Sequence, residues 1–204
     1  MAAQVILASA SSIRSQMLNN VGINHEIFPA KIDEDAIKAS LISELTEPRD
    51  MADILADLKA KKVSVQQPDA FVIGADQVLE FGNQIYSKPK TQDDLKGLLL
   101  KLNGHDHILY SAAVVYKEAR PVWRHVGKVT LTMRDLSSAY IHDYVTKEWD
   151  NVKFCVGGYK IEEKGLRLFD KIDGDYFSIL GLPLLDIVRF FDANGVLELS
   201  LIHI

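Results

Sequence analysis

The chain of 204 residues carries a single cysteine, Cys155, so it has no partner for an intrachain disulfide and no cysteine cluster for zinc. That scarcity fits a reducing compartment, and a cytoplasmic location is expected. Cys155 itself reads as a small buried apolar residue rather than a nucleophile. No apolar run approaches the ~20 residues that cross a bilayer, so no membrane partner is expected. The opening MAAQVILASA lacks the basic region of a signal peptide and reads as a first strand. Positive charge is not in excess. A formal net charge of -5 gives no general reason to bind a nucleic acid polymer, although a local basic pocket can still hold a phosphate ligand. Repeats, low-complexity linkers and long Gly/Ser tracts are also missing, which argues for one compact unit. What remains is 48% hydrophobic and 25% charged, the balance of an ordinary globular chain long enough to bury a full core.

The first candidate site follows the first strand, residues 4–8. Ser9, Ala10, Ser11 and Ser12 lead straight into a helix with Ile13, Met17, Leu18 and Val21 at helical spacing and Gly22 at its end. Hydroxyls and unpaired backbone N–H groups at a helix start form a chemically sensible phosphate site, which Arg14 in the first turn would strengthen; a plain serine helix cap is the simpler alternative. No glycine lies between Ala8 and Ser12, which sets aside a dinucleotide-dependent oxidoreductase built on a glycine fingerprint.

The second candidate is an acid. Phe71, Val72 and Ile73 form a short apolar run expected of a strand covered on both faces, after which Gly74 permits a turn or a close approach and Asp76 follows. An acid at the carboxyl end of such a strand is a candidate for metal or proton chemistry, or a turn former. Upstream, Asp33, Glu34 and Asp35 precede a helix expected over 36–45; they complement its dipole, or one of them joins Asp76 on a divalent cation. After a breaker at Pro48, residues 51–65 read as a helix whose Lys59, Lys61 and Lys62 form a solvated C-terminal end.

Farther along, Gly82-Asn83 has hairpin chemistry, Thr91 caps a helix whose buried face is Leu95, Leu98, Leu99 and Leu102, and His105 and His107 open a strand over 108–116 either as a metal pair or as a solvated turn. A strand over 122–134, a helix over 136–145 opened by Ser137, and a strand over 168–172 follow. The final amphipathic helix spans 184–191. Residues 197–204 alternate weakly and fit a last strand, a disordered end or a non-native extension equally well.

These segments fall in a familiar order. LASASSIR at 7–14, IDE at 32–34, LADLKA at 55–60, IGADQV at 73–78, SKP at 87–89, GGYKIE at 157–162 and DGDYFSILGLP at 173–183 together resemble the Maf family of nucleoside triphosphate pyrophosphatases. The resemblance implies an α/β fold with a long mixed β-sheet, flanking helices and two lobes around a nucleotide cleft. It implies a single catalytic domain over 1–199 with a tail at 200–204, and hydrolysis of a nucleoside triphosphate to a monophosphate and pyrophosphate. Asp76, Glu34 and Lys88 are its expected catalytic residues, with Asp76 and Glu34 holding magnesium, manganese or cobalt. Ser9, Arg14, Lys59, Gln77 and Glu162 are its expected substrate-binding residues, and a homodimer is common in the family.

The departures carry information too. The family usually has a proline and two arginines after the second serine, where this chain has Ser12, Ile13 and one arginine, Arg14. Gln77 and Glu162 replace the Thr and Gln frequent elsewhere, and so resemble the branch associated with 7-methyl-GTP rather than the one associated with dTTP and UTP. A carboxylate can accept from the N–H edge of guanine and favours a cationic methylated base. A nucleotide-binding regulator of cell division without turnover is the alternative of a different class.

Overall fold

Val5, Ile6 and Leu7 are buried on every side, so they can only lie within a covered sheet, and in the computed structural model, which describes residues 4–197, they form strand β1 (Val5–Leu7). Strand β2 (Glu26–Ile27) pairs with it in parallel, and so does β3 (Phe71–Phe81) on its other side. The remaining partners are antiparallel: β4 (Gln84–Tyr86), β5 (Asp106–Lys117), β6 (Arg120–Met133) and β7 (Phe169–Asp173). Together they make a seven-stranded mixed sheet in the order β2-β1-β3-β5-β6-β7, with β4 on β3. Helices flank it: α1 (Ser12–Asn20), α2 (Glu34–Ser43), α3 (Pro48–Ser64), α4 (Gln92–Leu102), α5 (Ser138–Val152), α6 (Tyr176–Ile179) and α7 (Leu184–Ala193). None of the described helices is long and apolar enough to cross a membrane.

Local chemistry sets most element ends. Ser11, Asp33, Thr91, Ser137 and Asp175 each accept from a backbone N–H in the first turn of their helix, and Thr91 with Asp94 completes a reciprocal capping box. Pro48 stands in the first turn of α3, where its missing N–H costs nothing, so it opens the helix instead of preceding it. Gly82 and Asn83, at φ 59° and 60°, make the tight turn between β3 and β4. Helix α5 runs on to Val152, past the expected end, because Val152 is still covered by the core around Leu95 and Ile141.

The main departure from expectation is β3. It does not stop at Ile73 but runs for 11 residues in all, from Phe71 to Phe81, with β5 paired alongside from Val72 to Glu80. Gly74 makes no turn there; it lets α3 approach. A Cβ at Gly74 would lie 2.1 Å from Ala56 O and 2.6 Å from Ala60 N, so the helix backbone rests directly on the strand.

The other edge of β3 is divided. Strand β1 pairs with residues 71–73 and β4 with residues 79–81, and between them residues 74–78 have no strand partner on that edge. Because β1 is parallel to β3 and β4 antiparallel, both run their carboxyl ends toward the same gap. Asp76 lies in its middle. The rule that ligands bind where neighbouring strands diverge therefore applies, with the acid inside a strand rather than at its end. On the Asp76 face, Val72 and Val78 pack with Ala56 and Ala60 of α3; on the opposite face, Ile73 and Ala75 pack with Met17 of α1 and Ile187 of α7. A further core beneath α4 and α5 fills the far end of the sheet. The tail expected at 200–204 lies outside the described residues.

Gly74→Ala tests the close approach. With backbone atoms on the colliding side, relief requires moving α3, and urea denaturation should show a loss of about 3 kcal/mol, the upper range of overpacking costs.

Candidate active site

Asp76 projects from β3 toward α3, one helical turn beyond the point where Ala56 meets Gly74. There Lys59 Nζ donates to Asp76 Oδ1 at 2.6 Å. The same ammonium lies 2.9 Å from Glu34 Oε1, at the start of α2. Both partners of the first pair are buried, at 7% and 6% side-chain exposure, whereas Glu34 is 39% exposed. Lys59 is thus not part of a solvated helix end, unlike its exposed neighbours Lys61 and Lys62. Helical spacing turns it back onto the sheet with Leu55, Ala56 and Ala60. The three acids of IDED divide: Asp33 caps α2, Glu34 meets Lys59, and Asp35 lies at the surface 3.6 Å from Lys90. Burial is the largest single influence on the Glu34 carboxyl and acts to raise it, but Lys59, joined by Lys38 and Lys88, holds Glu34 below its ordinary pKa.

The serine turn closes the gap from the β1 side. Arg14 is buried, and its guanidinium donates from Nε to Gly181 O at 2.8 Å and from Nη1 to Ser9 Oγ at 3.1 Å and Ala75 O at 3.0 Å. Ala75 O belongs to the unpaired edge of β3, so the arginine satisfies a carbonyl that the next residue of a longer β1 would have bonded. Ser9 Oγ also accepts from Ser11 N at 3.3 Å. Burial lowers the Arg14 pKa, while Asp76 and Glu34 act to raise it.

Lys88 enters from the other side, two residues after β4. Its side chain is exposed, yet its pKa falls below the ordinary lysine value, through desolvation first and repulsion by Arg14 next, against the pull of Glu34 and Asp76. Lys59 repels it as well. The structure therefore gathers Asp76, Glu34, Lys59, Arg14 and Lys88 into one electrostatic unit, with Ser9 hydrogen-bonded to its arginine.

Gln77 and Glu162 lie elsewhere. Gln77 follows Asp76 on a strand, so it faces the opposite side of the sheet. Its Nε2 is surrounded by Ser111 Oγ at 2.9 Å, Ser178 O at 3.1 Å and Ile179 O at 2.9 Å. Glu162 is exposed in the loop after Tyr159, with no hydrogen bond or ion pair to the cluster among the described residues. Its loop is anchored from within: Tyr159 and His107 Nε2 share a hydrogen bond of 2.7 Å, and Tyr144 donates to Gly158 O at 3.2 Å. His107 belongs neither to a metal pair nor to a solvated turn. It is buried, with burial pushing its pKa down to about 4, while His105 stays exposed against the Phe81 ring. The expectations from sequence also passed over Ser111, a lone serine whose hydroxyl acts within a largely apolar strand, and the carbonyls of Ala75, Ser178 and Gly181, which no sequence pattern marks because backbone oxygens carry no residue code.

One atom of the cluster has no protein partner. Asp76 Oδ2 is buried without a hydrogen bond, although a buried carboxylate oxygen left alone is costly. An unpaired anionic oxygen beside a half-exposed carboxylate, ringed by cations, suits an outside ligand: a water that loses a proton, a divalent cation, or both, next to an anion held by the cations.

Fold and site thus define an α/β protein with an acidic centre and a cationic surround at a strand divergence, the arrangement of an enzyme acting on a phosphorylated substrate. The chain belongs to the Maf-like protein family, whose sequence model matches residues 4–194. It is 46% identical over 198 residues to a protein of Ruegeria pomeroyi named nucleoside triphosphate pyrophosphatase, covering 97% of this chain and 100% of that one. A Roseobacter denitrificans protein of the same name is 48% identical over 191 residues, 94% and 96% of the two chains. A protein of Brucella abortus named 7-methyl-GTP pyrophosphatase is 43% identical over 188 residues, 92% and 94% of the two.

Lys59→Met strands the buried Asp76 carboxylate and removes the partner of Glu34. A cost of about 3 to 5 kcal/mol is expected in urea denaturation at neutral pH. Glu34 has a depressed pKa in the folded state, so its contribution is present above its unfolded pKa and disappears as pH falls through the folded one. The difference between wild type and variant should accordingly narrow at pH values below the usual carboxylate range.

Proposed function

We propose that the chain is a metal-dependent nucleoside triphosphate pyrophosphatase, a hydrolase that cuts between the α and β phosphates and releases a nucleoside monophosphate and pyrophosphate. The observation that carries this reading is Asp76: one carboxylate oxygen is fixed by Lys59 at 2.6 Å and the other is buried with no partner. Fixing one oxygen orients the second, and an oriented carboxylate in a dry site is suited to take the proton of a water attacking phosphorus. As the new P–O bond forms, the bond to the bridging oxygen breaks and charge moves onto pyrophosphate. Lys88, exposed at the mouth of the gap, is placed to follow that charge, while Lys59 and Arg14 supply fixed positive potential from within. Ser9 presents its hydroxyl beside the α1 start for a phosphate oxygen.

Asp76 Oδ2 and the half-exposed Glu34 carboxylate fit a magnesium, manganese or cobalt ion. Such an ion, when bound, neutralises phosphate charge and acts as a Lewis acid. A nucleotide-binding regulator of cell division would use the cations but gain nothing from an unpaired buried oxygen that costs about 1 to 3 kcal/mol, so that oxygen favours turnover.

For the base, Glu162 supports 7-methyl-GTP or another modified purine over dTTP and UTP, because a carboxylate attracts a cationic ring and accepts from its N–H edge. Gln77, with its amide spent on Ser111 and two backbone carbonyls, bears on substrate only through the loop it holds.

Separation of products after incubation with magnesium should show monophosphate and pyrophosphate; diphosphate with orthophosphate would exclude this reaction. Asp76→Asn should remove pyrophosphate release and leave the circular dichroism unchanged. Glu162→Gln should weaken hydrolysis of 7-methyl-GTP more than that of UTP, and equal losses would rule out base reading by this carboxylate. The lowered Lys88 pKa places the alkaline fall of kcat/KM below the ordinary lysine value, as the ammonium loses its proton. Lys88→Arg should move that fall upward, and Lys88→Gln should lower kcat on the order of 100-fold.

A further inference from the structure

Helix α3 meets β3 along a narrow line. Ala56 and Ala60 rest on Gly74, where a Cβ would lie 2.1 Å from Ala56 O, and the glycine has no side chain with which to grip the helix. A cylinder seated on such a contact cannot be pushed closer, but it can still roll about its own axis. Helical spacing of about 100° per residue puts Lys59 on one flank of the contact and Asp53 and Asp57 on the other, with Ala56 and Ala60 between them. Rolling α3 therefore moves Lys59 and the two aspartates in opposite senses: as one flank rises from the sheet, the other descends.

Both flanks carry charge. On one, the Lys59 ammonium lies 2.6 Å from Asp76 Oδ1 and 2.9 Å from Glu34 Oε1. On the other, Arg124 of β6 donates from Nη1 to Asp53 Oδ2 at 2.6 Å and from Nη2 to Asp57 Oδ1 at 2.9 Å. Tyr116 of β5 also donates its hydroxyl to Asp57 Oδ1, at 3.0 Å. The bond from Arg124 is the one side-chain hydrogen bond of Asp53 among the described residues, and Asp53 Oδ1 is buried without a partner. The two aspartate side chains are only 18% and 23% exposed. Without the guanidinium they would share a single phenol, and rolling their flank outward into water would relieve them.

A small roll has a large effect at the other flank. At about 5 to 6 Å from the helix axis, a side chain moves about 1 Å for a roll of about 10°. A displacement of about 1 Å in the groups that orient a reaction can cost on the order of 100-fold in rate.

We propose that Arg124 is a positioning residue: by holding Asp53 and Asp57 to the sheet it fixes the roll of α3 and so the reach of Lys59 to Asp76 and Glu34. The effect on rate rests on the pyrophosphatase reading above; the effect on Lys59 rests on geometry alone. Arg124 makes no hydrogen bond or ion pair with Lys59, Asp76 or Glu34 among the described residues, so its influence passes through the helix.

Two measurements test this. In steady-state release of pyrophosphate with magnesium, from 7-methyl-GTP or UTP, whichever wild type cleaves faster, Arg124→Met should lower kcat about 10-fold and change KM little. Arg124→Lys, whose ammonium reaches one aspartate, should recover part of the loss. Asp57→Asn should lower kcat more than Asp53→Asn, because Asp57 is nearer to Lys59 and holds Tyr116 as well. The urea midpoints of these variants should shift only slightly, since the pairs are partly exposed. Independently of turnover, the buried Lys59 ammonium should give a slowly exchanging 15Nζ resonance, assigned by its loss in Lys59→Arg. Arg124→Met should shift or broaden it while circular dichroism stays unchanged. An unaltered Lys59 resonance in Arg124→Met would overturn the proposal, as would losses of kcat that only follow the urea midpoints. If wild type releases no pyrophosphate, the pyrophosphatase reading fails, and the Lys59 resonance still decides the role of Arg124.

Discussion

A buried carboxylate can stay charged only beside a cation, and the Lys59 to Asp76 contact at 2.6 Å meets that requirement at the centre of the sheet. Several other features follow from it. For the ammonium to reach β3, helix α3 must lie on the strand, which Gly74 permits by having no side chain against Ala56 and Ala60. The height of α3 is fixed from its outer side as well. Arg124 of β6 pairs with Asp53 at 2.6 Å and Asp57 at 2.9 Å, one turn apart on α3, and Tyr116 of β5 donates to Asp57. Those pairs are partly exposed and contribute little stability individually, yet one guanidinium bridging two carboxylates a turn apart ties α3 to β6.

The division of β3's edge gives the ion pair access to ligands. Had β1 been longer, it would have bonded Ala75 and covered Asp76; had the SKP loop turned away, Lys88 would face solvent alone. Instead Arg14 takes the exposed Ala75 carbonyl and, through Gly181, ties the segment before α7 to the same edge. On the other face Gln77 does the same one residue farther along. Successive residues of one strand therefore serve opposite sides: Asp76 the charged cluster and Gln77 the loop that borders it. The pairing of a buried acid with a structural amide is a consequence of strand alternation.

Much of the fold was legible because its causes are local. The Thr91 capping box, the Leu95 to Leu102 face, the Gly82-Asn83 turn and the serine-capped α1 each depend on a few neighbouring residues. Of the residues expected at the site, the structure gathers Asp76, Glu34, Lys59, Arg14, Lys88 and Ser9 and leaves Gln77 and Glu162 apart, so the spaced motifs carried more of the cluster's membership than of its arrangement. Lys59 looks like any lysine near a helix end, and only the close approach at Gly74 turns it inward. Asp76 looks terminal because Gly74 interrupts the apolar run, whereas pairing with β5, distant in sequence, carries the strand through. Gln77 stands beside Asp76 in sequence and looks like its partner; once the strand continues, alternation separates them. Each difference arises from contacts between segments far apart in the chain.

The charges in the gap explain why its two ends differ. Asp76 and Glu34 contribute two negative charges against three positive from Lys59, Arg14 and Lys88. The net excess of one favours an anion, and in a partly desolvated site it acts more strongly than on an open surface. Such a field attracts an anion whatever group that anion is attached to. Beyond it Glu162 is exposed, with no ion pair among the described residues to constrain it. The buried end is held by short contacts, Lys59 to Asp76 at 2.6 Å and Arg14 to Gly181 O at 2.8 Å, with Asp76 Oδ2 left unpartnered; the exposed positions around it are free to vary because they are not required for the fold. That separation lets one scaffold keep its charged centre while exposed positions around it change.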